Sequence, residues 1–179
     1  MPESPSPGTQ RFDEMFRESD DPWQFRTRWY EVRKRALTLA CLPARRYANG
    51  YEPGCANGEL SAELALRCDR LQVSDGCERA VALARTRLAE WAHVQVVHAR
   101  LPAAWPADAF DLIVISELGY FLAASDLDAL AEKALASLRP GGTVLACHWR
   151  RPIQGCALGG DAVHARLAQR LGLPLLSEV

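Results

Sequence analysis

Lysine is nearly missing from this chain: Lys34 and Lys133 are the only two, and the rest of the Lys and Arg total of 21 is arginine. That bias reflects codon usage more than function. Charge of one sign is not in excess either, because 22 Asp and Glu leave a net charge of −1. Such a balance gives no sign of the basic patch that nucleic-acid and membrane surfaces usually need. No apolar run approaches the roughly 20 residues that a membrane span needs. The opening Met1-Pro-Glu-Ser-Pro-Ser-Pro-Gly8 has neither a basic region nor an apolar core, so it is not expected to act as a secretory signal. Residues 1–10 are expected to be a disordered lead. Cysteine is present at six positions, Cys41, Cys55, Cys68, Cys77, Cys147 and Cys156, but with no C-x-x-C pair and no His-Cys cluster. Neither a zinc site nor a disulfide framework fits, so reduced, mostly buried thiols, a cytoplasmic location and no metal are expected.

What is present is an alternation of strand and helix patterns in a chain of 179 residues, long enough for one domain with a real core. Two helices are expected between Arg11 and Leu42, broken at Asp20-Asp21-Pro22. Strands follow at Tyr47–Glu52, Leu71–Asp75, Val94–His98, Phe110–Ser116 and Thr143–Trp149. The unbroken Leu-Ile-Val-Ile of the fourth marks a parallel strand covered on both faces. The helix with Leu60, Leu64 and Cys68 on its buried stripe, the helix Glu78–Trp91 and the helix after a capping box at Ser125-Asp-Leu-Asp128 lie between them. Arg139-Pro140-Gly141-Gly142 closes that last helix. This order predicts an α/β fold, a Rossmann-like doubly wound, mostly parallel sheet with right-handed crossovers. After a helix at Asp161–Leu171, Leu175–Val179 leaves room for a sixth strand but not for a seventh, antiparallel one. Either the edge is trimmed or the chain is part of a longer protein. Residues 11–179 form the expected single domain, with 11–45 as a helical lid and 46–179 as the core.

The loop Tyr51-Glu-Pro-Gly-Cys-Ala-Asn-Gly58 lies between the first strand and the helix that follows it, and Asp75 ends the next strand. A loop with little side-chain bulk lets a cofactor approach the backbone, and a carboxylate on the neighbouring strand takes ribose hydroxyls. Gly54, Ala56 and Gly58 fall at a one-three-five spacing. A pyrophosphate-binding fingerprint wants one, three and six, which disfavours an NAD dehydrogenase. A tighter loop preceded by the acidic Glu52 suits a cofactor without phosphates, S-adenosylmethionine (SAM).

That loop, Asp75, Phe110-Asp-Leu-Ile-Val-Ile-Ser-Glu117 and Leu138-Arg-Pro-Gly-Gly142 together resemble a class I SAM-dependent methyltransferase. Asp21-Pro-Trp23, Trp29-Tyr-Glu31, Lys34, Leu39-Ala40, Arg46-Tyr47, Leu71 to Ala84 in outline and Glu117-Leu-Gly-Tyr-Phe-Leu122 narrow the resemblance to the nodulation protein S family of N-methyltransferases. It runs from Phe12 to about Leu171. The family methylates an amine on a glucosamine-containing oligosaccharide. Two positions depart from its pattern. Arg100 stands where an acidic residue often binds adenine's amino group, and His148-Trp-Arg-Arg151 differs on the acceptor side.

The resemblance implies SAM as cofactor, with S-adenosylhomocysteine as product. The expected cofactor-binding residues are Trp23, Glu52, Gly54, Cys55, Ala56, Gly58, Asp75, Gly76, Arg100, Leu101 and Ser116. Methyl transfer is an in-line displacement on a sulfonium carbon, so orientation of a neutral amine supplies much of the catalysis. Glu117 and His148, at the carboxyl ends of the fourth and fifth strands, are the candidate bases. Tyr30, Tyr120, Trp149, Arg150, Asp161 and His164 are the expected acceptor-binding residues. Trp23, Phe25, Trp29 and Tyr30 form an aromatic lid segment whose rings can attract a sulfonium cation.

The expected partner is a small-molecule acceptor, not a nucleic acid or a membrane, for a monomer or weak homodimer. O-methylation of a hydroxylated small molecule and a catalytically silent SAM-binding partner protein are the alternatives. A DNA amino-methyltransferase is disfavoured, because Ser116-Glu-Leu-Gly119 is not the Pro-Pro-aromatic element that holds a flipped base.

Overall fold

The computed structural model describes residues 10–179. The expected lead at 1–10 therefore lies, but for Gln10, outside the described residues. Helices α1 (Gln10–Glu18) and α2 (Trp29–Ala40) precede the alternating core. The core runs β1 (Gly50–Pro53), α3 (Glu59–Ala65), β2 (Leu71–Asp75), α4 (Glu78–Arg87), β3 (Val94–His98) and β4 (Phe110–Ser116). It continues through a short 3-10 turn (Gly119–Phe121) to α5 (Ala124–Ser137), β5 (Leu138–Cys147) and α6 (Gly160–Leu171). The five strands pair in parallel in the order β3-β2-β1-β4-β5. The order reverses between β1 and β4. The crevice at a doubly wound sheet's carboxyl edge opens at such a point, and ligands bind there.

Burial on both faces explains the apolar run of β4. Leu112 and Val114 pack with Leu64, Cys68 and Val73 on one face. Phe110, Ile113 and Ile115 pack with Tyr51, Leu127 and Leu130 on the other. Phe110 shares a face with odd-numbered residues because the β4–β5 register shifts between Phe110 and Leu112.

Several boundaries differ from expectation. β1 begins at Gly50, not Tyr47, and Tyr47 keeps only an isolated bridge to Cys68. The amides of Ala48 and Asn49 donate instead to the Asp111 carboxylate at 2.7 Å each. α4 ends at Arg87, short of Trp91. The cap of α5 is Ala123, which places Ser125 inside the first turn, and Asp128 is engaged by Arg166 and Arg170 of α6 instead of completing a capping box. β5 starts at Leu138, whose partner is Phe110, and runs through Gly141 at φ 76° to end at Cys147, before His148. The sixth strand does not form. Gly172 takes a left-handed conformation (φ 59°) that ends α6, and Leu175 and Leu176 beyond it are more than two-thirds exposed.

Candidate active site

The loop after β1 is built by its backbone. The amides of Gly54 and Cys55 both donate to the Ser74 carbonyl, at 2.7 and 2.9 Å, which turns the chain sharply away from the sheet. Gly54 sits at φ 77°, a conformation that favours glycine, and a Cβ there would also come within 3.2 Å of Leu118 Cδ1. Ala56 adopts φ 49° in the same turn. Asp75 staples the loop: one carboxylate oxygen accepts the Ala56 amide and the other the Cys77 amide, each at 2.9 Å. Burial raises the Asp75 pKa, and these backbone donors oppose that rise. The carboxylate is acceptor-only and lies in the cavity wall, which suits a ribose hydroxyl.

Gly58 has another task. It is the N-cap of α3 at φ 85°, and a Cβ there would meet Ala84 Cα at 3.2 Å. It lets α3 pack against α4 and does not line the cavity, contrary to its expected place among the cofactor contacts.

The cavity holds about 570 Å³, within the roughly 300–1,000 Å³ of small-molecule sites. Glu52, Gly54, Cys55, Ala56, Asp75 and Gly76 line it from the ends of β1 and β2. Trp23, Arg100, Leu101 and Ser116 complete the expected cofactor set along its walls. Arg100 also borders a second, polar hollow with Arg17, Arg79 and His98. Glu52 is buried and accepts the Ser61 hydroxyl at 2.6 Å, and burial pushes its carboxyl pKa up to about 8. Phe12 and Phe16 of α1 pack on Trp23, and Phe25 packs on the same indole, forming an aromatic cover.

Asn57 was not foreseen as a site residue. It is fully buried, and its amide nitrogen donates to the Asp20 carbonyl and to Asp21 Oδ1, both at 3.2 Å. Asp21 in turn accepts the Phe25 and Arg26 amides. The loop is thus tied to the Asp20–Asp21 turn, while Asn57 Oδ1 has no hydrogen-bond partner in the cavity wall.

The other end of the cavity is ionic. Glu117, at φ 54° just past β4, meets Lys34 Nζ at 3.2 Å, and Lys34 also holds Glu31 at 2.7 Å. The Tyr120 hydroxyl donates to Glu117 Oε2. Burial raises the Glu117 pKa against the opposing pull of Lys34. Lys34 Nζ lies 5.3 Å from the Tyr30 ring centre, and the Tyr30 ring meets Trp149 edge-on at 4.6 Å. Glu117, Tyr30, Tyr120 and Trp149, all expected here, are brought together, and all line the cavity. Glu31 and Lys34 were the missing members. Their i, i+3 spacing on α2, and the scarcity of lysine, were the available signals.

His148, Arg150, Asp161 and His164 are not brought into the cavity lining. Arg150 and Asp161 form an exposed ion pair at 2.8 Å. His148 is buried with both ring nitrogens engaged: Nε2 accepts the Gly119 amide at 2.9 Å, and Nδ1 lies 3.0 Å from His164 Nε2. Burial lowers its pKa to about 3, so it has neither a free lone pair nor the proton affinity of a base. Gly119 itself is wedged, because a Cβ there would lie 2.4 Å from Val163 Cγ1. Gly119→Ala is expected to lower the melting temperature by about 5 °C through overpacking, measured by thermal denaturation.

Left-handed turns thus follow β1, a carboxylate ends β2 and an ionic pocket lies just past β4. The chain matches the family described as nodulation protein S over residues 9–173. It belongs to that family. With it the chain joins the SAM-dependent methyltransferases. It is 31% identical over 164 residues to nodulation protein S of Bradyrhizobium diazoefficiens, covering 89% of this chain and 77% of that protein. Against the Rhizobium tropici protein of the same name it is 32% identical, but spans only 53% of that protein's length. The structure of the N-methyltransferase from Bradyrhizobium japonicum WM9, solved with S-adenosylhomocysteine, superposes with TM-score 0.82 at 28% identity, over 89% of this chain and 84% of that one. A Pseudomonas syringae protein with a provisional methyltransferase assignment is 58% identical, with TM-score 0.75, over 84% of this chain and 91% of that one. No helix among the described residues is long and apolar enough to cross a membrane.

Proposed function

We propose that this chain transfers the SAM methyl group to the amine of a small molecule, with an amino sugar or its oligosaccharide as the acceptor class. The observation that carries the amine reading is Glu117, a largely buried carboxylate beside the cavity, set between Lys34 and Tyr120. Two carboxylates, Glu31 and Glu117, share one ammonium, Lys34, which leaves one carboxylate in excess within this triad. An acceptor that arrives as an ammonium ion compensates it. A hydroxyl acceptor does not.

The bound cofactor supplies an electrophilic methyl group on a sulfonium. Residues fit to hold it are present: Asp75 for the ribose, and the buried acceptors Glu52 and Asn57 Oδ1 for the ammonium of the amino-acid end. Glu117 binds the acceptor's ammonium and takes its proton, exposing the lone pair. Tyr30 and Trp149 wall the acceptor corner, and the cover from Phe12, Phe16, Trp23 and Phe25 keeps water out.

The reading is tested by titrating the protein with SAM and S-adenosylhomocysteine calorimetrically, then offering labelled SAM with paired amine and hydroxyl forms of the same sugar. Transfer to the amine alone is expected. Transfer to the hydroxyl alone would establish the O-methyl alternative, and tight binding with no transfer to either would establish the silent partner.

Glu52 gives an independent check. With a pKa of about 8 in the folded protein against an ordinary 4.5, it is protonated at neutral pH. Its raised value stabilises the fold fully below the unfolded pKa, and that contribution is lost as pH rises through about 8. A cofactor ammonium beside it favours the ionised form, so loading at pH 7 is expected to release a proton, approaching about one per site. Calorimetry in two buffers of different ionisation enthalpy measures this. Proton release that persists unchanged in Glu52→Gln would remove Glu52 from the cofactor site.

A further inference from the structure

The turn that carries Glu117 and Tyr120 into the cavity is held from behind. Glu117 takes a left-handed backbone conformation unusual for a residue with a side chain, so the turn needs restraint to keep it. One restraint is the Glu117 amide, which donates to the Cys147 carbonyl at 2.8 Å. The other is the Gly119 amide, which donates to His148 Nε2 at 2.9 Å. The same imidazole meets the Tyr120 ring edge-on at 5.3 Å. It therefore touches the turn at a backbone donor and at the aromatic ring whose hydroxyl reaches Glu117.

Proton order follows from the backbone. An amide can only donate, so His148 Nε2 must present a lone pair. A neutral imidazole then carries its hydrogen on Nδ1, which points at His164 Nε2, 3.0 Å away. His164 Nε2 must accept, which places the hydrogen of neutral His164 on Nδ1. The donor direction is thus set from Gly119 through His148 to His164. One extra proton on either ring sets two N–H groups against each other somewhere along that line.

We propose that His148 and His164 are positioning residues for methyl transfer, a proton-ordered imidazole pair that fixes the Glu117–Tyr120 turn through the Gly119 amide. The inference rests on the reading of Glu117 as the group that handles the acceptor. His148 touches neither cofactor nor acceptor, and acts through the turn. The fit is close: a Cβ on Gly119 would stand 3.1 Å from His148 Nε2 and 2.4 Å from Val163 Cγ1 of α6, the helix that also carries His164. The pair therefore couples α6 to the acceptor end of the cavity, and its hydrogen bonds run to the Gly119 amide and between the two rings, not to the loop after β1.

The test compares His148→Phe, which keeps a ring of similar bulk without an acceptor, with His148→Gln, whose amide oxygen can still receive the Gly119 amide. His148→Phe is expected to lower kcat by about 10–100-fold through misplacement of Glu117, with affinity for S-adenosylhomocysteine within about twofold of wild type. His148→Gln is expected to recover kcat to within about threefold. A kcat for His148→Phe within about twofold of wild type would overturn the proposal, as would equal losses in the two variants. Should His148→Phe fail to fold, nitrogen-15 spectra of the wild-type imidazoles at neutral pH decide. The expected state is neutral His148 with hydrogen on Nδ1, and the opposite tautomer or a charged ring would overturn it. If the wild-type protein methylates no amine, the functional reading fails instead. The positioning claim is then judged on Tyr120 and Gly119 resonances, which must move in His148→Phe and return in His148→Gln.

Discussion

Glu117→Gln is expected to lower kcat by about 10²-fold or more while leaving S-adenosylhomocysteine affinity within about threefold. Glutamine keeps the length and one carbonyl oxygen, so Tyr120 can still donate to it. What it loses is negative charge and the capacity to take a proton. The loss has a second consequence, because Lys34 stands 3.2 Å from Glu117 and 2.7 Å from Glu31. With Glu117 neutral, Glu31 and Lys34 compensate each other, and this end of the cavity loses the carboxylate that draws in the acceptor's cation. KM for an ammonium acceptor is therefore expected to rise along with the fall in kcat. Cofactor affinity is expected to hold, because the loop after β1 and Asp75 do not hydrogen-bond to Glu117. A kcat within about threefold of wild type would assign proton removal to water and reduce Glu117 to a wall of the cavity. A rise in KM with no change in kcat would make it a binding group alone.

The parts legible in the sequence were those written in local pattern. β2, β3 and β4 fall where alternation and apolar runs put them, since β2 and β4 are largely buried and Val94 and Val96 of β3 pack, partly buried, against the core. The Gly54 loop and Asp75 were readable because a backbone at positive φ and a strand-end carboxylate leave a residue-type signature. What was illegible came from pairs distant in the chain. β1 begins late because Asp111, more than sixty positions away, takes the amides of residues 48 and 49. Ser125 missed its capping role because α5 begins one residue before it and Asp128 faces α6. His148 looked like a rim histidine until Gly119 and His164 claimed its nitrogens. Lys34 could be quoted as part of a signature, but only packing of α2 across the end of β4 makes it the ion between two carboxylates.

Asp75→Ala is expected to weaken SAM and S-adenosylhomocysteine binding by well over tenfold, a larger effect than loss of one ribose contact would give. The carboxylate has two jobs. It offers lone pairs to the cavity, and it accepts the Ala56 and Cys77 amides at 2.9 Å each. Removing it strands two backbone donors in a poorly hydrated wall, at about 1–3 kcal/mol for each that finds no other partner. Ala56 at φ 49° then loses the bond that holds it, so the loop relaxes from the shape that admits a ligand. Asp75→Asn separates the jobs. Its oxygen can accept one amide, but its amide group opposes the other, so the loop stays half-anchored and the fall in affinity should be intermediate. Both variants should retain the far end of the cavity, where Lys34, Glu31 and Glu117 do not hydrogen-bond to Asp75. Calorimetric affinities of the two variants, read beside their melting temperatures, decide the matter. Equal affinity in wild type and Asp75→Ala would show that neither ribose recognition nor the loop depends on this residue. A loss in Asp75→Ala fully restored in Asp75→Asn would assign the effect to a single accepting oxygen, leaving no requirement for charge at the end of β2.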